Sequence, residues 1–577
     1  MLKRISLVLM LLTVLVGIVG VKAQTEATPQ SMAKYLPADA DLFFAVRTDE
    51  AFLDEITDLI NTVVDKVPDA YTSQLKGFDL RALLQSQVGS MEAIGVGDYA
   101  AVSASNIAVL YDQNYTNDGD VVFYGVLALT DATKFEAFFE SKAQNMTRTN
   151  ENGVTIYKST GATVFVTSDA AYLTTQDALP TGDMLDSSAR FSDTVSNLPE
   201  PGYNFVIYAE TRTLLQGAMY SNGIPAQNMM MLSQLGIDVA NLGPLALGGT
   251  VLDGKSLILD AYTLSSGAVT SSPAPIDPSF TELIPAGTSY VIQGTDLKAL
   301  LNGVIDMIYS VSNMQGSTLP SRKDLNTQLM AFLGIDLDND IIGWMGGNYV
   351  LMFESDSKPM VESYVNGQSA NLNPNPRFVL IVEGDGSDKP ARVAQALGTL
   401  LVAQTQNNPS APKVELSSNA DSTSVVIEDI SLSPEVEVTI EIVGNQEGLF
   451  IGNKDTIDAI LEGTGDALVS SASFIEAQSY ILPNASVIAF ADGDGWGTVI
   501  SVGIVVSTIT PVVTQNIIAQ LQTEEGSPTP TPIPTDNLLQ PLMPLIDTAY
   551  DLFSSSSVSI SYAEDGSQLT RAVLTLK

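Results

Sequence analysis

Apolar residues in this chain come in short unbroken runs, each closed by polar residues and followed by helical periodicity. The first run, Leu42 to Val46, has no polar interruption, which predicts a strand covered on both faces. Thr48 or Asp49 then fits a helix N-cap, because either side chain can accept from the free N–H groups of a first turn. Phe52, Ile56, Leu59, Ile60 and Val63 recur at helical spacing until Pro68 ends the pattern. A second short helix is predicted over Asp79 to Gln87. From Gly97 the period changes to two. Tyr99 to Leu110 is predicted as a strand or strand pair, Asp112 to Asp120 as a turn, and Val121 to Leu129 as the next strand. Asp131 is the expected cap of a helix with Phe135, Phe138 and Phe139 on one face. Val154 to Tyr157 and Thr163 to Thr167 are predicted as a hairpin-like pair, then Ala171 to Thr174 and Phe205 to Tyr208 as strands. A helix holding Met229, Met230 and Met231 is assigned to the core. Leu245 to Leu252 and Ser256 to Leu264 flank Asp253-Gly254, a dipeptide that favours a hairpin turn.

The order then begins again. Leu36-Pro37-Ala38-Asp39 leads into the first strand, and Ile284-Pro285-Ala286 leads into a second apolar run ending at Thr295-Asp296. Gly346 to Phe353 matches Val96 to Val102 in character. Arg377 to Glu383 with a helix from Lys389 to Gln404 matches the Val121 strand and its helix. Gly448 to Asp455 matches Ala171 to Asp177, and Leu482 to Phe490 matches the phrase opened by Leu198-Pro199. Val558 to Tyr562 and Arg571 to Leu576, around Glu564-Asp565-Gly566, match the Asp-Gly hairpin. No element is assigned between Gln404 and Gly448. The expected fold is α+β: two tandem pseudo-repeated halves, each a largely antiparallel sheet with helices packed on it. The expected bounds are a first half over 35–269, a Ser/Pro linker over 270–282 and a second half over 283–577. Thr498 to Val513 is read as a buried core helix, and the Thr-Pro stretch 524–536 as an inserted loop.

The N-terminus changes the picture of where the chain works. Lys3 and Arg4 precede an apolar run from Ile5 to Val21, and Val21-Lys22-Ala23 offers a cleavage site before Gln24. Residues 1–23 are read as a secretory signal peptide, with an uncleaved anchor as the alternative. Residues 24–34 are read as a flexible lead-in. The expected location is extracellular or in the cell envelope, with membrane contact only if the N-terminal segment is retained.

Charge and missing residue types then exclude chemistry. There are 26 basic and 66 acidic residues, a net charge of −40, which disfavours nucleic acid and anionic lipid. The chain has no cysteine and no histidine. Disulfides, thiolate nucleophiles, Ser–His triads and zinc-thiolate sites are excluded. Carboxylate chemistry, lysine chemistry and oxygen-bound metals stay open. Four Asp/Gly clusters invite a calcium reading: 112–120, 336–340, 383–388 and 492–495. None has the EF-hand spacing, and turns and helix caps account for them. Trp344 and Trp496 are assigned to packing. No catalytic, cofactor-binding or metal residue is assigned, and no cofactor is expected.

With its signal segment, its Leu36 to Asp39 opening and its strands alternating with Thr-Asp-capped helices, the chain resembles the DUF3352 family of exported bacterial proteins. The family carries no established activity, so the resemblance implies location and not chemistry. The function expected is that of a non-enzymatic exported protein that binds an unknown ligand or protein partner through its duplicated lobes. The alternatives are a carboxylate-dependent hydrolase and a calcium-stabilised structural or adhesive protein.

Overall fold

The computed structural model describes residues 28–577 apart from 74, 89, 108–120, 144–145, 201, 214, 216–241, 266–271, 315–318, 355–357, 359–376, 407–410, 434–435, 502 and 504–541. The signal segment, the 112–120 turn, the Met229 to Met231 helix and the Thr-Pro loop therefore lie outside the described residues. Thr498 to Val513 is described only at its start, within a helix over 493–501. The chain divides into two compact units. Unit 1 takes residues up to Asp65, Gln74–Ser272 and Tyr562–Ala572; unit 2 takes Lys66–Ser73, Pro273–Ser561 and Val573–Lys577. Each is α+β, and every strand pair with a defined register is antiparallel.

Unit 1 begins with β1 (Leu42–Arg47), α1 (Glu50–Lys66), α2 (Leu80–Val88), β2 (Val96–Ser105), β3 (Val122–Leu129) and α3 (Ala132–Lys142). Four strands follow, β4 (Thr147–Glu151), β5 (Val154–Ser159), β6 (Ala162–Val166) and β7 (Ala170–Thr174), then α4 (Ala189–Val195) and β8 (Phe205–Ala209). The hairpin β9 (Leu245–Leu252) and β10 (Ser256–Thr263) comes next. β1 lies between β2 and β8, and its run is apolar throughout because a core covers each of its faces. Phe43 and Ala45 point into one core with Phe191, Val206 and Tyr208; Phe44 and Val46 pack on the other with Leu53, Leu127 and Phe135. Burying a side chain such as Phe43 contributes about 1.5–3 kcal/mol. The hairpin turn has φ of 50° at Asp253 and 62° at Gly254, the left-handed pair that matches strand twist. The final strand, Gln568–Leu576, pairs with β10.

Unit 2 holds β11 (Tyr290–Thr295), α5 (Leu297–Met314), α6 (Arg322–Leu333), β12 (Asn348–Glu354), β13 (Arg377–Glu383) and α7 (Lys389–Thr405). It continues with β14 (Lys413–Ser418), β15 (Ser422–Ser433), β16 (Val436–Asn445), β17 (Gly448–Asn453) and α8 (Lys454–Glu462). α9 (Ala472–Gln478), β18 (Val487–Asp492), α10 (Met543–Leu552) and β19 (Phe553–Tyr562) complete it. β11 lies between β12 and β18. One face of the sheet packs Val291, Phe450 and Phe490 with Ile457 of α8 and Phe474 of α9. The other packs Val382, Val425 and Leu449 with Val393 and Ala394 of α7.

Three expectations need correction. Residues 24–34 are not a loose lead-in throughout: Pro29–Tyr35 is a 3-10 helix whose Met32 and Ala33 are buried in the unit 1 core. Past Pro273 the Ser/Pro connector is part of unit 2, where Ile276 is buried and donates its N–H to Ala485 O at 2.9 Å. The stretch with no assigned element, 406–447, carries β14, β15 and β16.

Candidate functional site

The loop and helix caps dispose of most of the acidic clusters. Asp49 Oδ1 accepts the Phe52 N–H at 3.1 Å, and Asp131 Oδ1 accepts from Thr133 and Lys134 at 3.0 and 3.1 Å. In the 336–340 cluster, Asp336 accepts from the N–H groups of Asp338 and Asn339 and from Asn326 Nδ2, the last of which chiefly holds its carboxyl below the usual range. Asp338 pairs with Arg322 and Asp340 with Arg392. Asp385 accepts from the Ser387 N–H and hydroxyl. Glu383, expected as a cap, is not one: its Oε2 takes the backbone and side-chain N–H of Asn348 at 2.7 and 2.6 Å. Among the described residues no group of three or more acidic side chains is arranged to hold a metal ion. Trp344 is buried with its Nε1–H on Asp340 O at 2.9 Å, and Trp496 donates to Ser556 Oγ at 2.5 Å, so both pack as expected.

The fourth cluster, Asp492-Gly493-Asp494-Gly495, behaves differently. Asp492 ends β18; its N–H donates to Ser289 O at 3.1 Å, and its Oδ1 accepts the Gly495 N–H at 2.8 Å to start the next helix. A Cβ on Gly493 would lie 2.4 Å from the Phe553 carbonyl oxygen, so only glycine lets the chain pass there. Opposite stands α9, capped by Ser471 through the Phe474 N–H at 3.3 Å. Phe474 is buried edge-on against Phe490 with centroids 5.2 Å apart, which fixes its neighbours Ser473 and Glu476 near the surface. Glu476 Oε2 accepts the hydroxyls of Ser554 at 2.7 Å and Ser555 at 3.3 Å. Lys577 Nζ is held by Tyr550 O at 2.8 Å. Ser473, Glu476, Asp492, Asp494, Ser554 and Lys577 line an open cleft of about 590 Å³.

Burial pushes the Asp492 carboxyl up to about 6. The Gly495 N–H opposes this, the Asp494 charge adds to it and the Lys577 charge opposes it. Perturbed carboxyls in clefts are where ligand and proton chemistry concentrates. Of these cleft residues the sequence singles out only Asp492 and Asp494, and for a cap. Glu476, Ser473, Ser554 and Lys577 are distant in sequence and carry no motif.

The fold and this cleft define an antiparallel α+β protein with a polar, open pocket in its second unit. Residues 106–415, more than half of the 577, match the family described as "Protein of unknown function (DUF3352)", and the chain belongs to that family. The match includes the Ile284-Pro285 phrase but neither the Leu36 opening nor the cleft. No curated protein matches the chain. Among solved structures, crystal form I of TP0453 is similar at 11% identity and a TM-score of 0.21, covering 42% of this chain and 81% of that one. Crystal form IV of TP0453 gives 10% identity, a TM-score of 0.22, and coverage of 40% and 79%. Among the described residues no helix is long and apolar enough to cross a membrane.

Proposed function

We propose that this is an exported, non-enzymatic binding protein built by tandem duplication of one α+β lobe, with the ligand cleft in the second copy. Collinear detail supports the duplication. Pro37 bridges to Met184 and Pro285 to Ala467; the next residues, Leu185 and Leu468, donate their N–H groups to Leu36 O and Ile284 O at 2.8 and 2.6 Å. β1 between β2 and β8 has its counterpart in β11 between β12 and β18. Ser188-Ala189-Arg190-Phe191 at the start of α4 corresponds to Ser471-Ala472-Ser473-Phe474 at the start of α9.

The observation that carries the binding reading is the cleft of about 590 Å³, a volume suited to a small molecule or a side chain. Its polar lining argues against an apolar cargo. Calorimetric titration of the protein with small ions, amino acids and sugars tests it: saturable one-to-one binding that falls in Glu476→Gln and Asp492→Asn is expected, and no binding by any class overturns it. N-terminal sequencing of the native protein tests export, with cleavage before Gln24 expected in an extracytoplasmic fraction and an intact cytoplasmic chain against it.

A second reading, a carboxylate-dependent hydrolase, draws on Asp492, whose pKa of about 6 suits a general acid. It requires turnover whose pH profile loses its inflection near 6 in Asp492→Asn.

A further inference from the structure

Two carboxylates occupy corresponding places in the two units. Ala209 pairs with Leu42, and the next residue, Glu210, donates its N–H to Asp41 O at 2.9 Å. Ala491 pairs with Tyr290, and the next residue, Asp492, donates its N–H to Ser289 O at 3.1 Å. Each carboxylate therefore leaves its sheet at the same register, beside the helix that begins Ser-Ala-x-Phe.

Their surroundings differ at two positions. In unit 1, Arg190 Nη2 donates to Glu210 Oε2 at 2.7 Å and the Tyr208 hydroxyl donates to Oε1 at 2.6 Å. Both oxygens are satisfied from within the chain. In unit 2 the residue corresponding to Arg190 is Ser473, and the residue corresponding to Tyr208, two before the carboxylate, is Phe490. The arginine and the hydroxyl are both gone, yet the carboxylate is kept. Among the described residues no lysine or arginine forms an ion pair with Asp492, Asp494 or Glu476; Lys577 lines the same cleft and its charge acts on Asp492, but its ammonium donates to Tyr550 O. Ser473, in the arginine's place, lines the open cleft.

A half-buried carboxylate that has lost its hydrogen-bonded guanidinium is costly unless a donor returns, and Lys577, tied to Tyr550 O, acts on it without pairing. We propose that the unit 2 cleft binds an alkylguanidinium group, seated on Asp492 and Glu476 where unit 1 carries the side chain of Arg190. A guanidinium suits the place because its planar fork of N–H donors can serve two carboxylates at once. Ser473 leaves room for it, and Ser554 supplies a further polar wall. The inference rests on the duplication and on the cleft reading above.

The test is titration of the full-length protein with methylguanidinium, its neutral isostere N-methylurea, acetate, free L-arginine and the peptide Gly-Arg-Gly. Methylguanidinium is expected to bind roughly tenfold or more tightly than N-methylurea, a difference of about 1.4 kcal/mol. Asp492→Asn, which can still cap its helix, and Ser473→Arg, which fills the place from within, are each expected to lose that binding roughly tenfold. Arginine and the peptide separate a free ligand from a partner's side chain: preference for the peptide assigns the site to a protein partner. Binding of N-methylurea or acetate in preference to methylguanidinium overturns the guanidinium assignment and leaves a ligand cleft. Binding of no probe overturns both.

Discussion

Asp260 and Arg571 stand 311 residues apart and meet inside unit 1, where Arg571 Nε and Nη2 donate to the two carboxylate oxygens at 2.7 and 2.9 Å. Asp260 is fully buried and takes a further bond from the Tyr203 hydroxyl at 2.6 Å, while Arg571 reaches Glu200 at 3.0 Å. Burial and the bond to Asp260 push the Tyr203 phenol up, so it stays a donor at any physiological pH. Arg571→Ala leaves a buried carboxylate without its cation, and the expected loss is about 3–5 kcal/mol. Tyr203→Phe removes a single bond to that carboxylate and is expected to cost about 1–3 kcal/mol. Urea unfolding of both variants checks the order; an Arg571→Ala cost below that of Tyr203→Phe contradicts the assignment.

Asp492 makes a pH-dependent prediction. Its carboxyl titrates near 4 in an unfolded chain, about 3.9 by model peptides, and at about 6 in the fold. Because the folded value is the higher one, the stability it contributes is complete below about pH 4 and lost as pH rises through about 6. Asp492→Asn keeps an acceptor for the Gly495 N–H but carries no charge. The variant is expected to melt higher than the parent at pH 7.5, by about 1–2 kcal/mol of stability, and to match it at pH 4. Equal melting temperatures at both pH values count against a strained carboxylate there.

Gly249 in β9 is a packing constraint. A Cβ on it would lie 2.1 Å from the Phe205 ring, on the paired strand. Gly249→Ala is expected to destabilise unit 1 by about 1–3 kcal/mol. Pairing it with Phe205→Leu should recover part of that loss, since the two residues share the same space. A strictly additive double mutant rules the clash out as the cause.

The calcium reading has its own check. Asp336, Asp338 and Asp340 are already taken by Asn326, Arg322 and Arg392. A chelator is expected to leave the melting temperature unchanged; a fall of several degrees, reversed by added calcium, restores that reading.

The strands that declare themselves in the sequence are those buried on both faces. β1, β3 and β13 are continuous apolar runs, and the bounds of β13 and of β9 come out to the residue because Glu383 and Asp253-Gly254 close them. β14 to β16 escape because they are rich in Ser and Glu. Lys413, Glu415, Ser417 and Ser418 are exposed, while Val425 and Ile442, with Val414 and Leu416 beside them, turn inward onto the core that holds Val393 and Ala394 of α7. Pro29–Tyr35 escapes because one buried methionine and one buried alanine are too few to show a period. The cleft is illegible for a different reason. It needs α9, β18, β19 and Lys577 together, and the informative signal is a difference, Arg190 against Ser473, visible only once two weakly similar helices are aligned.

The pairing of the last strand with β10 also sets a timetable. A ribosome adding about 5–20 residues per second produces Arg571 roughly 15–60 s after Asp260, given the 311 residues between them. Through that interval β10 has an open edge and Asp260 lacks its cation, so unit 1 can close only after Arg571 has been made. A chain of this design is most exposed to proteases and to misplaced strands before that moment, and a stall anywhere ahead of residue 571 leaves its first unit unsealed.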